Sequence, residues 1–184
     1  MKDNRLTGIM STTYRDNSQS VDANREHYAD YECTLESTRK ACPSVIQETA
    51  GGARPAVDIL FKDEDHFRNI EDMNEKLQSV TCGLFRSTGI SYYNQSIVAL
   101  TQLYKEYFKA GLNMPRIFDA TNSHPDAASN SDYPSLHKST EAYAMAIKEL
   151  KEEGFFKEGQ AVPIMPMFSI AFTGALTSGD TIYN

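Results

Sequence analysis

The chain contains no tryptophan, only three cysteines and no long run of apolar residues. No stretch approaches the roughly 20 apolar residues of a membrane-spanning helix, so the sequence predicts no contact with a membrane. The N-terminus lacks the apolar core of a signal peptide, and we therefore expect a cytoplasmic protein. The cysteines are odd in number and have no Cys-x-x-Cys spacing. This argues against both a disulfide framework and a structural zinc site.

Runs of lysine and arginine are also missing, and the net charge is −7. A protein that binds nucleic acid needs a positive field to replace the counterions at the phosphates. The charge therefore argues against a nucleic-acid partner. A winged-helix-like regulator stays open as a second alternative, because residues 150–155 are typical of the end of such a unit.

What the chain does have is enough apolar material for one core. Its 184 residues are 40% hydrophobic and include ten tyrosines and nine phenylalanines. A chain of this length can bury roughly two-thirds of its unfolded surface without disulfides or metals. Residues 1–19 are polar and without period, and they predict a flexible arm. Residues 20–184 are then expected to form a single globular α+β domain.

Apolar spacing predicts four main helices, over residues 21–42, 69–84, 95–110 and 134–154. The last of these is the most completely specified. Its apolar stripe repeats at helical spacing and consists of Leu136, Thr140, Tyr143, Ile147 and Leu150. Gly154 suits the left-handed residue that follows a helix, and Phe155 can then fold back on Leu150.

Alternating apolar residues predict strands at 56–61, 116–118, 161–165 and 167–173. Most of them follow the last helix, and residues 181–184 add a β-prone end. The expected fold class is therefore α+β, with about four main helices packed on a small, mainly antiparallel sheet with C-terminal strands. The outer edge of that sheet is expected to lie open.

A polar loop at residues 119–133 is the best candidate for chemistry. Asp119 follows a predicted strand directly, at the end where α/β proteins bind their ligands. Asp119 and His124 are the candidate catalytic pair, acting as a general base and its orienter. The alternative is that these residues are simply turn formers.

Other chemical motifs are weak. No nucleophile motif surrounds Cys33, Cys42 or Cys82, and all three are interpreted as buried structural cysteines. The acidic residues 63–65 fit a solvated turn better than a cation site. There is no P-loop and no Gly-x-Gly-x-x-Gly motif. We therefore predict neither a cofactor nor a bound metal.

These patterns favour binding over catalysis. An arm at 1–19 needs a partner to order it, and an open sheet edge can accept a strand. The predicted function is a non-catalytic interaction or assembly protein whose partner is another protein or a second copy. The alternative is a small hydrolase or transferase whose site lies in loop 119–133.

Overall fold

Five strands and the helices between them make up the regular secondary structure of the described residues. The computed structural model describes residues 8–20, 26–86, 96–118, 138–157, 159–162 and 165–166. The strands are β1 (Met10–Ser11), β2 (Ile46–Gly51), β3 (Thr81–Arg86), β4 (Met114–Phe118) and β5 (Met165–Pro166). The helices are α1 (Thr13–Ser20), α2 (Tyr28–Tyr31), α3 (Leu35–Ala41), α4 (Arg54–Ala56), α5 (His66–Leu77), α6 (Ile97–Lys109) and α7 (Lys138–Glu152).

All strand pairs in the sheet are parallel. The spatial order β1-β2-β3-β4-β5 is also the chain order, and at least one helix connects each strand to the next. This is the repeated β/α unit of which closed β/α barrels are built. The prediction of a mainly antiparallel sheet was therefore wrong.

The sheet was predicted wrongly because two of its strands, β2 and β3, were not recognised in the sequence. No strand was predicted at β2, and β3 begins where the sequence predicted the end of helix 69–84. Strands covered on both faces lose the alternation that marks a half-exposed strand. Conversely, the predicted strand 56–61 is helical, as α4 continues into a π-helical turn at Val57–Phe61. Pro55 suits the start of that helix.

The two faces of the sheet differ in chemistry. The outer face packs on the helices, and Phe85 stacks on Tyr104 with ring centroids 4.2 Å apart. The inner face carries charge, because Arg116 of β4 reaches Glu48 of β2 across the sheet. Core packing therefore belongs to the outer face, whereas the inner face is available for other chemistry.

Helix starts are set by side-chain caps. The Asp65 carboxylate accepts a hydrogen bond from the Arg68 backbone at 3.0 Å and begins α5. The Ser96 hydroxyl accepts one from the Ala99 backbone at 3.1 Å and begins α6. Each cap satisfies a backbone donor that a helix start leaves without a partner. Both helices were predicted, but the cap of the first lies four residues earlier than residue 69.

Helix ends follow the predicted glycines. Gly154 has a φ of 76°, and the Phe155 backbone N–H donates to the Leu150 carbonyl at 2.8 Å. Gly111 has a φ of 90° and ends α6 in the same way. A left-handed residue after a helix costs glycine little because it has no Cβ. The predicted stop at Gly154 is confirmed.

Several other expectations can be compared with the described residues. Strand β1 and nearly all of α1 lie within the predicted arm at residues 1–19, and the flexibility of that arm stays a prediction. The predicted helix 21–42 is broken, and its described part includes α2 and α3. The predicted strand 167–173 and the end 181–184 lie outside the described residues. No helix in the described part of the chain is long and apolar enough to cross a membrane.

Candidate functional site

Charged side chains from three β/α units meet on the inner face of the sheet. Arg15 and Asp16 lie in the first turn of α1, directly after β1. Glu48 comes from β2 and Arg116 from β4. We call these four residues the inner-face cluster. Enzymes built from parallel β/α units place their sites where strands end and helices begin, and α1 begins in this cluster.

Two arginines share one carboxylate in the cluster. The Nε and Nη2 atoms of Arg15 each lie 2.8 Å from Oε2 of Glu48. Nη1 of Arg116 donates to the other oxygen, Oε1. Nη1 of Arg15 also donates to Oδ1 of Asp16 at 3.0 Å. The planar Arg15 guanidinium is therefore held in one orientation by two acidic side chains.

Exposure is graded across the cluster. The Glu48 side chain is fully buried, whereas 11% of Arg15 and 9% of Arg116 is exposed. Half of the Asp16 side chain, 50%, is open to solvent. Buried charges lower stability unless they are paired, and clusters of this kind are common at functional sites. The cluster thus reaches solvent at Asp16.

Two sulfur-containing side chains, Cys82 and Met10, lie beside the inner-face cluster. The Cys82 thiol lies 3.4 Å from the Met10 sulfur and is fully buried. Burial, with the negative charge of Glu48, raises the pKa of Cys82 to about 12. The thiol therefore stays protonated and is no nucleophile. The structural interpretation is confirmed for Cys82, whereas Cys33 and Cys42 are exposed rather than buried.

A second ionic cluster lies on the outer side of the sheet. We call it the outer network; its members are Tyr31, Arg54, Asp58, Lys62, His66 and Tyr107. Oδ2 of Asp58 accepts from Arg54 Nε at 3.0 Å and from His66 Nδ1 at 2.8 Å. The Lys62 ammonium lies 3.4 Å from the other oxygen of Asp58. All six side chains are buried.

Proton positions in the outer network follow from burial. Burial lowers the pKa of His66 and leaves the ring neutral, so that Nδ1–H donates to Asp58 and Nε2 accepts from the Tyr107 hydroxyl at 3.2 Å. Burial alone would raise the pKa of Asp58. The hydrogen bond from His66 and the charge of Arg54 outweigh it and hold the Asp58 pKa at about 2. This Asp–His–Tyr arrangement is sealed from substrate and is structural.

The predicted catalytic pair is not among these groups. Asp119 and His124 lie outside the described residues. In the predicted acidic turn, Asp65 caps α5 and Glu64 accepts from His27 Nδ1 at 2.9 Å. Within the described ranges, no cluster of three His, Cys, Asp or Glu side chains is arranged to hold a metal ion.

The inner-face cluster was not predicted from the sequence. Glu48 and Arg116 are 68 residues apart, and no local pattern links them. A weak signal exists, because each is a charged residue inside a short strand. A charge in a strand that is covered on both faces needs a partner from another part of the chain.

Solved structures share this parallel sheet of successive β/α units. The carboxyl transferase domain of Rhizobium etli pyruvate carboxylase matches with a TM-score of 0.64 and 22% identity, over 80% of this chain and 23% of that one. The same domain with oxamate and biotin matches at 0.59 and 24%, over 74% of this chain and 23% of that one. This likeness shows the fold.

A sequence relative points the same way. The pyruvate carboxylase of Bacillus subtilis (strain 168) is 26% identical over 125 residues, which is 66% of this chain and 11% of that protein. The chain thus spans about a tenth of this curated relative. A scan against models of known protein families finds no match.

These relatives overturn the predicted function. Both the sequence relative and the structural neighbours are enzymes or enzyme domains, not non-catalytic assembly proteins. The prediction was wrong because it required residues 1–19 and the C-terminal strands to be free to bind a partner. In the structure β1 and β5 are members of one parallel sheet with the rest of the chain. The parallel sheet also rules out the winged-helix alternative.

Proposed function

We propose that the chain is a unit of a carboxyl-transfer enzyme that binds a small oxo acid of the pyruvate class at the inner-face cluster. The proposal rests on one observation above all. Arg15 and Arg116 converge on Glu48 beside the start of α1, in a fold shared with a carboxyl transferase domain. Solved structures of that domain contain pyruvate or oxalate.

The chemistry of the cluster suits a small carboxylate. A guanidinium binds a carboxylate through parallel N–H donors, and a fixed guanidinium loses little entropy when it does so. Arg15 is fixed by Glu48 and is adjacent to solvent through Asp16. The substrate carboxylate would approach from the Asp16 side and share the Arg15 donors.

Oxalate binding is the first test. Isothermal titration should give saturable binding to the wild-type chain, and Arg15→Lys should weaken it by about tenfold or more, because lysine cannot form a two-pronged contact. Lys148→Ala is the matched control, since Lys148 is an exposed cation on α7. Equal affinities for wild type, Arg15→Lys and Arg116→Lys would contradict the proposed site.

Carboxyl transfer is tested in the reverse direction. Oxaloacetate is pyruvate with a carboxyl group on its methyl carbon. Transfer of that group to biotin breaks the carbon–carbon bond and leaves pyruvate after protonation. Pyruvate formation that needs both oxaloacetate and biotin, and that falls in Arg15→Lys, is the expected result. Formation that is independent of biotin would indicate simple decarboxylation instead.

Asp119 and His124 remain part of the proposal as candidate catalytic residues. β4 ends at Phe118, so Asp119 is the next residue after a strand of the parallel sheet. Asp119→Ala and His124→Ala should abolish activity without changing the circular dichroism spectrum. Self-association or a protein partner, and a cytoplasmic location, are kept as further proposals. Light scattering of the purified chain tests the first of them.

A further inference from the structure

Arg54 is the most completely enclosed cation of the outer network, and its side chain is fully buried. Each of its three nitrogens is engaged. Nε donates to Asp58 at 3.0 Å and Nη2 to the Tyr31 hydroxyl at 2.5 Å. Nη1 donates to two backbone carbonyls, of Tyr14 at 2.9 Å and of Thr49 at 2.8 Å.

The two carbonyls belong to the segments that hold the inner-face cluster. Tyr14 precedes Arg15 in α1, and Thr49 follows Glu48 in β2. The side chains of Tyr14 and Thr49 point to the outer layer, where they contact Thr38 at 2.7 Å and Asn74 at 3.3 Å. Arg54 therefore joins the backbones of α1 and β2 on one side, while Arg15 and Glu48 join them on the other.

The local chain is shaped to bring Arg54 back to β2. Gly51 ends that strand with a φ of 85°, and a Cβ there would lie 2.1 Å from the Leu84 carbonyl oxygen. Only glycine fits at this point, and Gly52 continues the turn with a φ of 66°. Asp58 lies one helical turn after Arg54 and holds its Nε. The Gly51–Gly52 turn therefore fixes the backbone position of Arg54, and Asp58 fixes its side chain.

We propose that Arg54 is a positioning residue, which fixes the Arg15–Glu48 ion pair by tying the Tyr14 and Thr49 carbonyls together. This inference rests on the proposed function, because it concerns the same site. Arg54 itself does not contact substrate. Its effect passes through the spacing of α1 and β2, to which the orientation of the Arg15 guanidinium is tied.

Arg54→Lys is the variant that tests this role. Lysine keeps the positive charge beside Asp58, but a single ammonium cannot replace a planar fork that serves four acceptors at once. Ile70→Val is the matched control. It trims the buried core of α5 and removes no charged or hydrogen-bonding group.

A double-mutant cycle in oxalate binding separates positioning from general damage. Arg54→Lys should weaken oxalate binding by about tenfold in the wild type, and by less than about twofold in the Arg15→Lys background, because the group it positions is then absent. The same tenfold loss in both backgrounds would overturn the proposal. Ile70→Val should leave the affinity unchanged.

A second measurement does not depend on any substrate. The Nε–H of Arg15 donates to Glu48 and should exchange slowly with water in a nitrogen-15 NMR experiment. Arg54→Lys should speed this exchange by about tenfold or more, whereas Ile70→Val should not. Unchanged exchange in Arg54→Lys overturns the positioning role even if oxalate binds. Absence of oxalate binding in the wild type refutes the proposed function instead, and exchange alone then decides the role of Arg54.

If Arg54→Lys does not fold, Tyr31→Phe takes its place. It removes the hydroxyl that accepts from Arg54 Nη2 and keeps the buried ring. The same two measurements apply, with smaller shifts in the same directions. If neither the oxalate affinity nor the exchange rate of the Arg15 Nε–H changes, the proposal is overturned.

Discussion

The inner-face cluster and the outer network use the same residue types to different ends. Each centres on one buried carboxylate, Glu48 in the first and Asp58 in the second, and each pairs it with arginine. Every side chain of the outer network is buried. The inner-face cluster opens to solvent at Asp16, which is half exposed. The two clusters therefore differ mainly in how far solvent can reach them.

That contrast shows how to separate a structural ion pair from a candidate site. A perturbed pKa alone does not separate them, because the Asp58 pKa is held at about 2 in the sealed network. Asp58, His66 and Tyr107 resemble a catalytic relay but admit no substrate. Arg15 and Asp16 can meet a ligand, and the helix that carries them starts directly after a strand.

The largest expected effect is on stability, from Asp58→Ala. The substitution leaves the cations Arg54 and Lys62 buried without their carboxylate. Removal of one partner of a buried pair typically costs about 3–5 kcal/mol. Urea unfolding followed by circular dichroism measures it. The control is Glu152→Ala, which breaks an exposed pair with Lys148 and should cost less than about 0.5 kcal/mol. Similar losses in the two variants would contradict the sealed-network interpretation.

Glu48→Gln should have a smaller effect on stability and a larger one on binding. Water can reach Arg15 and Arg116 in part, so the loss in unfolding free energy should be about 3 kcal/mol or less. The oxalate affinity of the variant should fall, because Arg15 loses its fixed orientation. The same urea and titration experiments apply. A variant that loses stability but binds oxalate normally would show that Glu48 is purely structural.

The next effect in size is on the pH dependence of stability, which should reflect the titration of Asp58 and His66 in the outer network. The Asp58 pKa falls from 3.8 to about 2 on folding, so its contribution is complete above about pH 4 and is lost as the pH falls towards 2. A shift of this size corresponds to about 2 kcal/mol. The His66 pKa is also lowered, so its contribution declines as the pH falls below 6.5. Asp58→Asn should remove the lower of the two phases in acid-dependent urea unfolding and enlarge the upper one, because the Asp58 carboxylate raises the His66 pKa.

The smallest expected effect is a difference in the rate at which the three cysteine thiols are labelled. Cys33 and Cys42 are exposed, whereas Cys82 is buried with its pKa raised to about 12. A disulfide reagent at neutral pH should therefore label Cys33 and Cys42 at once, and Cys82 only when the protein unfolds. Cys82→Ala is the control and should leave the fast phase unchanged. Rapid labelling of all three thiols would mean that the inner face beside Glu48 is open.

Local signals in the chain were sufficient for several elements. The glycine stops at Gly111 and Gly154, the strand Met114–Phe118 and helix α6 all depend on residues close to each other in sequence. β2 was missed because its one charged residue finds partners elsewhere in the chain. Glu48 pairs with Arg15 and Arg116, and its strand therefore does not look like one from its own composition.

The sequence by itself determined where helices stop and how much apolar surface there is to bury, because a glycine's backbone freedom and a side chain's hydropathy act within a few residues. Only the tertiary structure decided that the strands run parallel. Strand direction depends on the path of each connecting helix, which no single strand encodes. Tertiary structure also decided which charges meet, because burial makes a carboxylate costly unless a distant arginine arrives beside it.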